Sequence, residues 1–215
     1  VLAIVRDIRD RKRAEQALAA LAEVGELASM IVHEVRNPLT TVKMGLSALL
    51  STELSERNMK RLELASSEAS RLESLLNEIL LYAKPQTLQT TAVNLTELTT
   101  TVLDTLRAQP AAANRSIVFK SAGDLITNPG DAEILKLVVI NLVSNACEAV
   151  SPGDAVTCYL ETTPDHIRLQ IHNGGAPIPP DVLPNLTKPF FTTKPTGTGL
   201  GLAIVKRIID AHGGN

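Results

Sequence analysis

The chain has 215 residues, with 21 Lys and Arg against 23 Asp and Glu, and this near balance argues against nucleic acid as a partner. A hydrophobic fraction of 44% without any Trp supports one or two domains with aliphatic cores. The two cysteines are too few for a disulfide framework, and no apolar run reaches the ~18–20 residues that span a bilayer, so we expect a cytoplasmic segment without membrane contact.

The first two predicted helices carry the same apolar pattern. After a short strand over residues 1–8, a long helix is predicted over residues 9–50, and a second runs from Glu56 to Ala83, where Pro85 ends it. One hairpin has only two helices with which to bury two apolar seams, so we expect a homodimer with a four-helix bundle. The seams alternate spacings of three and four: Ala14, Ala17, Leu21, Val24, Ala28, Ile31 and Val35, then Leu62, Ala65, Ala69, Leu72, Leu76, Ile79 and Ala83.

A histidine in the first helix lies away from this seam. His33 is two residues from both Ile31 and Val35, which places it about 200° around the helix, so we expect it to face solvent. Asn37 lies on the same face, four residues later. Pro38 lacks an N–H and its ring collides with the carbonyl of the residue four positions earlier, which predicts a kink next to His33.

The second half of the chain has a mixed α/β pattern. After a polar linker over residues 87–92, helices are predicted over residues 95–108 and 132–150, and a strand over residues 116–120. Two paired strands are predicted over residues 156–161 and 166–172, and a last helix begins near Leu200. Helices in series with a small sheet indicate a two-layer α/β sandwich that follows the helical hairpin.

Two short polar segments in this half suggest a binding site. Asn141 and Asn145 share one face of an otherwise apolar helix. The amide oxygen of an asparagine is a suitable ligand for Mg²⁺. The alternative to a metal-binding role is that the two amides cap a helix or form hydrogen bonds in the core. Asn173 and the two glycines after it follow a strand directly. Glycines at this position allow the backbone to approach a ligand closely, which indicates a binding segment. The alternative interpretation is a turn without a ligand.

A long irregular stretch over residues 176–196 precedes the last helix and holds six of the twelve prolines. Loops of this length are usually functional lids or disordered, and Phe190 and Phe191 are candidates to anchor it. Lys194 is placed to meet a phosphate. The loop from Gly197 to Gly201 opens the last helix, where free N–H groups form an anion site. It is neither a Walker-type loop nor a dinucleotide fingerprint.

Five segments match, in order and separation, the motifs of one family. They are His33 to Pro38 as a phosphoacceptor box, Asn141 to Ala149 as an N box, Asn173 to Pro179 and Gly197 to Leu202 as glycine boxes, and Lys188 to Lys194 as an F box with its lid. The chain thus resembles the catalytic core of a two-component sensor histidine kinase. Its Thr-Thr-Lys lid is similar to that of the nitrogen-regulation subclass, and residues 5–12 are similar to the exit from a PAS sensor domain.

The resemblance implies ATP-dependent autophosphorylation of His33 and phosphotransfer to an aspartate of a response regulator, with possible phosphatase activity toward that regulator. Glu34 would orient the imidazole and take its proton, Asn37 would orient a water in the reverse reaction, and Asn145 would hold Mg²⁺. The implied nucleotide-binding residues are Asn141, Asn145, Asn173, Gly175, Phe190, Lys194, Gly197, Thr198, Gly199, Leu200 and Gly201.

The same resemblance divides the chain into residues 1–8 as the end of an upstream PAS-like sensor, 9–86 as signalling helix and phosphotransfer hairpin, 87–92 as linker, and 93–215 as an ATP-binding domain that ends before the last family strands. The chain departs from the family at Asn173, where an Asp usually binds adenine, and at Glu148, where many relatives carry a basic residue. A non-catalytic dimeric scaffold that docks a regulator is one alternative. A plain ATPase of the gyrase and MutL superfamily is another, which the first half of the chain disfavours.

Overall fold

The computed structural model describes residues 28, 30–50, 52–83, 87–108, 115–194 and 197–215, and the chain divides into two compact units between Pro85 and Gln86. The predicted strand over residues 1–8, the PAS-like exit and the first part of the long helix lie outside the described residues, as do the seam residues Ala14, Ala17, Leu21 and Val24. Within the described part, no helix has both the length and the apolar character that crossing a membrane requires.

The first unit contains a helical hairpin. Helix α1 is described as helical over residues 30–50, and helix α2 spans Glu56–Ala83, which confirms the predicted bounds of the second helix. Two polar contacts tie the helices together in an antiparallel arrangement. Arg36 Nη2 donates to Asn77 Oδ1 at 2.6 Å, and Lys43 Nζ pairs with Glu73 Oε2 at 2.5 Å.

The buried stripe of α1 differs from the predicted seam. Val32 and Leu39 are buried at 1% and 9% relative exposure, whereas the predicted seam residues Ile31 and Val35 are exposed at 55% and 44%. A heptad pattern identifies two neighbouring apolar stripes but does not say which of them faces the helix of the same hairpin. The stripe next to the predicted one therefore packs against α2, and Ile31 and Val35 remain on the outer face.

The predicted seam of α2 is partly confirmed. Leu62 and Ala69 are buried at 6% and 5%, while Ala65 is exposed and Leu72 is 51% exposed. Ser66 and Glu73 lie in the partly buried stripe instead. Glu73 is suited to that position because it meets Lys43 across the hairpin, a pairing that a search for apolar residues does not detect.

Helix α1 continues through Pro38. The two threonines that follow donate their hydroxyl groups to carbonyls of the preceding turn, Thr40 to Arg36 O at 2.9 Å and Thr41 to Asn37 O at 3.3 Å. The kink next to His33 stays a prediction.

The second unit contains each helix and strand predicted for it, with small shifts of the ends, and two strands that were not predicted. Strand β1 begins within the range predicted as linker, and β3 precedes the second helix of the unit. In chain order the elements are β1 (Thr91–Asn94), α3 (Leu95–Arg107), β2 (Ser116–Ser121), β3 (Ile126–Gly130), α4 (Ala132–Glu148), β4 (Ala155–Thr162), β5 (Ile167–Asn173), a 3₁₀ turn (Leu183–Asn185) and α5 (Gly201–Ala211).

The strands form two sheets. In the larger sheet β4 is central, parallel to β2 and antiparallel to β5, and the register pairs Cys158 with Phe119 and with Ile171. The predicted pairing of β4 with β5 is thereby confirmed. The smaller sheet pairs β1 with β3 in antiparallel fashion, with an irregularity between Thr91 and Val93.

The core lies between the helices and the larger sheet. Leu103 of α3, Val143 of α4, and Val156 and Cys158 of β4 have no exposed surface. The other cysteine, Cys147, is 2% exposed, and both cysteines are free thiols, as predicted. A helical hairpin followed by an α/β unit is therefore the observed fold class, and α4 runs through the core of the second unit with one polar face left for other contacts.

Candidate functional site

His33 lies on the exposed side of α1, as predicted. Glu34 and Asn37 are exposed as well, and all three belong to the helical part of the hairpin. The neighbouring Val32 is 1% exposed and fixes the rotation of α1 about its axis. Because adjacent helical residues are about 100° apart, burying Val32 leaves the His33 imidazole directed outward and accessible to a reactant.

The turn that carries His33 is tied to the second helix of the hairpin. Arg36 lies three residues after His33, and its guanidinium donates to Asn77 Oδ1 at 2.6 Å. The two residues are 41 positions apart, so no local pattern in the sequence marks this contact. It places a directional hydrogen bond between α1 and α2 within one helical turn of the imidazole, where Pro38 has removed one backbone bond.

The polar face of α4 in the second unit consists of Asn141, Asn145 and Glu148. Asn141 Nδ2 donates to Leu137 O at 2.9 Å, which directs its Oδ1 toward the start of α5. There a Cβ atom on Gly201 would lie only 2.7 Å from Asn141 Oδ1 and 3.8 Å from Asn145 Nδ2. Only glycine allows this approach, and the start of α5 is thereby brought directly against the two amides.

Lys194 contacts the same face of α4. Its ammonium nitrogen lies 2.8 Å from Asn145 Oδ1 and 2.5 Å from Glu148 Oε2. Asn145 therefore presents an amide oxygen to a cation, and Glu148 adds a charge beside it. Glu148 was noted in the sequence only as a departure from the family. Its spacing of three residues from Asn145 was the signal that could have placed it on this face.

The glycine loop brings the lid segment close to the start of α5. Gly199 has a φ of +71°, and a Cβ atom there would lie 2.7 Å from Phe191 N and closer still to Phe190 C. Gly197 lies against Lys194, with 3.2 Å between a Cβ at position 197 and Lys194 Cβ. Leu200 N donates to Thr198 Oγ1 at 3.3 Å. The loop is therefore packed closely against the lid segment, at Phe190 and Phe191 and at Lys194.

One predicted role needs correction, and another stays a prediction. Leu200 is predicted among the residues that touch the nucleotide; its side chain is fully buried and anchors the start of α5 in the core, and a nucleotide contact through its backbone stays a prediction. Phe190 was expected to anchor the lid, but it is 65% exposed and adopts a φ of 64°. Positive φ is costly for an aromatic residue and is maintained here by the close approach of Gly199. The partly buried Phe191 is the better anchor.

The first glycine box meets the C-terminal end of α4. Gly175 has a φ of +100°, and a Cβ atom on it would lie 3.1 Å from Ala149 O. Asn173, the last residue of β5, donates from Nδ2 to Gly174 O at 2.8 Å. This bond uses one of the two N–H groups of the Asn173 amide and leaves Oδ1 as an acceptor. The turn thus lies one to two helical turns from Asn145 along α4.

The arrangement on α4 fits a divalent cation and phosphates. Amide oxygens such as Asn145 Oδ1 are ligands for Mg²⁺, which usually takes few protein ligands and completes its shell with waters and phosphate oxygens. The start of α5 supplies backbone N–H groups to an anion, because the capping residue Leu200 has no side-chain acceptor. The structure therefore brings together Asn141, Asn145, Lys194 and Gly201, with Gly197, Thr198, Gly199 and Phe190 beside them.

Comparison with known families assigns both units. Residues 23–88 match the His Kinase A (phospho-acceptor) domain, and residues 130–215 match the histidine kinase-, DNA gyrase B- and HSP90-like ATPase. The first match contains the hairpin with His33. The second contains α4, the glycine loop and Lys194.

Individual relatives agree with these matches. Sporulation kinase E of Bacillus subtilis (strain 168) is 34% identical over 99% of this chain, which spans 29% of that protein's length. The structure of full-length ShkA in complex with AMPPNP is similar with a TM-score of 0.76 and 25% identity, over 88% of this chain and 42% of that one.

The histidine kinase ThkA is similar in two solved structures. Its complex with the response regulator TrrA gives a TM-score of 0.66 and 31% identity over all of this chain and 61% of that one. Its separate catalytic domain is 34% identical with a TM-score of 0.54, and this chain covers 82% of that domain. The chain therefore belongs to the histidine kinases and comprises the phospho-acceptor hairpin and the ATPase unit of their catalytic core.

Proposed function

We propose that this chain transfers the γ-phosphoryl group of ATP to His33 and then passes it to an aspartate of a response regulator. The observation that carries this proposal is the convergence of Asn145, Lys194 and Gly201 on one face of α4, in a chain whose other unit exposes His33 on its hairpin. Phosphoryl transfer depends on positioning and charge stabilisation more than on covalent catalysis, and these residues supply both.

In the first step a neutral ring nitrogen of His33 attacks the γ-phosphorus. An N–P bond forms, the bond from that phosphorus to the bridging oxygen breaks, and ADP leaves with the electron pair. Glu34, exposed beside His33, orients the imidazole and takes the proton that the ring loses. In the second step the N–P bond breaks and a carboxylate oxygen of the regulator forms an acyl phosphate.

On the nucleotide side, Asn145 Oδ1 would hold a Mg²⁺ ion, which would neutralise charge on the phosphates, and Asn141 would position the start of α5 beside it through its close approach to Gly201. The N–H groups of Gly199 and Gly201 offer backbone donors to the phosphates. Gly197, which donates to Lys194 O at 3.2 Å, and Thr198, whose Oγ1 accepts from Leu200 N, hold the loop in place. Asn173 Oδ1 accepts from the adenine amino group. It does so without the charge of the Asp common in the family, so we expect weaker adenine binding but the same mode.

A response regulator is the proposed second partner. ThkA was solved with the response regulator TrrA, and this chain is similar to ThkA over both units. Asn37 lies one helical turn beyond His33 on the same exposed side and is positioned to orient a water for dephosphorylation of the regulator. We assign the chain to the cytoplasm, where ATP and response regulators are available.

The hairpin is proposed to dimerise through its outer apolar stripe. Ile31, Val35, Val42 and Leu72 are between 44% and 55% exposed, although they are aliphatic. A second hairpin placed against this stripe would bury it and complete a four-helix bundle. The PAS-like exit and the Thr-Thr-Lys lid support a PAS sensor upstream and membership of the nitrogen-regulation subclass.

The catalytic proposal is preferred over a docking scaffold, because the amides and glycines that approach one another on α4 have no role in docking a regulator. It is preferred over a plain ATPase because the phospho-acceptor domain match covers the hairpin.

The test is incorporation of ³²P from [γ-³²P]ATP with Mg²⁺ into the purified chain. The expected product is a phosphoprotein that is stable to base, labile to acid, absent in His33→Ala and present in His166→Ala, whose substituted residue lies exposed on the turn before β5. An acid-stable label, or a label that persists in His33→Ala, contradicts the proposal.

A further inference from the structure

The ammonium of Lys194 occupies the position on α4 that a divalent cation would take. It lies 2.8 Å from Asn145 Oδ1 and 2.5 Å from Glu148 Oε2, so one nitrogen joins an amide oxygen and a carboxylate oxygen three residues apart. Both oxygens are hard ligands of the kind that Mg²⁺ selects. Since each oxygen is within a single hydrogen bond of the same nitrogen, the ammonium and a metal ion cannot occupy this position together.

We propose that Glu148 and Asn145 form a cation-exchange position, which the Lys194 ammonium holds until a nucleotide-bound Mg²⁺ replaces it and releases the lysine to the phosphates. This inference rests on the proposed nucleotide site and adds to it a role for Glu148. Glu148 acts as a positioning residue toward Lys194 and as a second oxygen toward the metal.

Charge and burial support the exchange. The side chains of Lys194 and Glu148 are 36% and 51% exposed, so their ion pair is partly open to solvent and weak enough to be broken by a competing ion. Lysine carries a compact charge on a flexible four-carbon stem, which allows the ammonium to move while its backbone stays in place. That backbone is positioned next to the glycine loop, because Gly197 packs against Lys194 Cβ.

The exchange also explains why an acidic residue is compatible with a phosphate site. A carboxylate alone beside Asn145 would repel the triphosphate. The carboxylate no longer repels the triphosphate when its charge is compensated by Lys194, or by Mg²⁺ once the nucleotide binds. Glu148 and the Lys194 ammonium sum to zero charge before the exchange, and Glu148 with Mg²⁺ sums to one positive charge after it, so this face never presents an uncompensated carboxylate to the triphosphate. The lysine moves to the phosphates only when the metal is present to replace it.

The experiment measures the affinity of the chain for ATP by calorimetry under two conditions, with saturating MgCl₂ and with excess EDTA. Lys194→Met keeps the apolar stem and removes the charge. In EDTA it should weaken ATP binding by less than about threefold, because the ammonium then stays on Asn145 and Glu148 and does not meet the phosphates. With MgCl₂ the loss should reach about tenfold, because the lysine that the metal has released then contacts the phosphates. The matched control is Lys206→Met, which breaks an ion pair of the same length to Asp210 on α5 and should change neither affinity.

Glu148→Gln gives the sharper test, because its two effects have opposite signs. In EDTA it should tighten ATP binding by about threefold, since it removes a negative charge and frees Lys194 for the phosphates. With MgCl₂ it should weaken binding by about threefold, since the metal loses a charged ligand. The proposed exchange is refuted if Glu148→Gln shifts the ATP affinities in MgCl₂ and in EDTA in the same direction, or if Lys194→Met weakens the two affinities equally.

These outcomes are separable from failure of the proposed function. A chain that binds ATP and phosphorylates His33, but whose two variants do not show these differences, retains its kinase assignment and refutes the exchange alone. A wild-type chain that binds no ATP under either condition refutes both.

Discussion

The backbone N–H of Asp131 donates a hydrogen bond to Nε2 of His212, with 3.1 Å between the two nitrogens. The other ring nitrogen lies 2.8 Å from Ile208 O, so the ring is neutral with its proton on Nδ1. The Asp131 carboxylate also accepts from the N–H groups of Gln89, at 2.8 Å, and Ile134, at 3.2 Å. One buried residue therefore joins the start of α4, the end of α5 and the segment that leads into β1.

Removing this carboxylate should destabilise the second unit. Asp131→Ala deletes the N-cap of α4 and leaves the N–H of Gln89 without its acceptor, so the free energy of unfolding should fall by about 1–2 kcal/mol. Asp131→Asn keeps an oxygen that can cap the helix and should lose less. Urea denaturation followed by circular dichroism measures both. Equal stability of Asp131→Ala and wild type would contradict the capping role.

The charge of Asp131 also predicts a pH dependence. Hydrogen bonding from the backbone of Gln89, helped by the backbone N–H groups of Ile134 and Glu133, lowers the pKa of the Asp131 carboxyl, although burial opposes the shift. A lowered pKa in the folded state stabilises the fold above the ordinary pKa of Asp, and this contribution is lost as the pH falls through the lowered value. The stability difference between wild type and Asp131→Asn should therefore be constant near neutral pH and shrink below about pH 4. A difference unchanged at pH 3 would be inconsistent with this origin.

Gly201 and Gly45 provide a matched pair of substitutions. A methyl group on Gly201 would come within 2.7 Å of Asn141 Oδ1, so Gly201→Ala must displace the amide, and we expect ATP affinity to fall by tenfold or more. Gly45 lies in α1 with no atom within 4 Å of an added Cβ. Gly45→Ala should leave ATP affinity unchanged and stabilise α1 by about 0.5–1 kcal/mol. Normal ATP binding by Gly201→Ala would show that the close approach to α4 is unimportant.

The ion pair between Lys43 and Glu73 should be detectable in the stability of the hairpin. Lys43→Glu places two carboxylates together across the seam and should lower the melting temperature, with a loss of about 1 kcal/mol or less because both side chains are more than one-third exposed. Adding Glu73→Lys should restore most of it. The exposed pair of Lys60 and Glu56 serves as the control, and Lys60→Glu should cost less. If the double variant is no more stable than Lys43→Glu, the pair does not stabilise the hairpin.

The buried thiols should be unreactive in the folded chain. Burial, with a smaller contribution from nearby Cys147, raises the pKa of Cys158 to about 11, and burial also raises the pKa of Cys147. Because the thiolate is the reactive form, iodoacetamide at pH 8 should alkylate both far more slowly in native protein than in urea. Mass spectrometry of the two peptides gives the rates. Rapid native alkylation of Cys158 would place it outside the core.

The second unit was the more predictable part of the chain from sequence. Its helices and the pairing of β4 with β5 follow from apolar runs and turn residues, which are local signals. Strands β1 and β3 were missed because each has only four or five residues, and β3 contains Pro129 and ends at Gly130. Their pairing joins segments more than thirty residues apart, which no local pattern reports.

For the candidate site, contacts between side chains that are far apart in the chain limited how much could be predicted from the sequence. The glycine loop and the amides of α4 could be identified from spacing, because both need a particular residue at a particular position. The pairing of Lys194 with Glu148 spans 46 residues, and the contact of Arg36 with Asn77 spans 41, so neither has a local signal. The rotation of α1 could not be derived either, because two adjacent apolar stripes competed and Val32 rather than Ile31 is buried.

The central claim is that the exposed imidazole at position 33 receives the phosphoryl group of ATP. The most direct measurement is peptide mapping by mass spectrometry at neutral pH, after the chain has been incubated with ATP and MgCl₂. The account predicts one added phosphoryl group on the peptide that contains His33, with fragment ions that place it on the imidazole. Phosphate found only on other residues, or none on that peptide while the chain binds ATP, would contradict it.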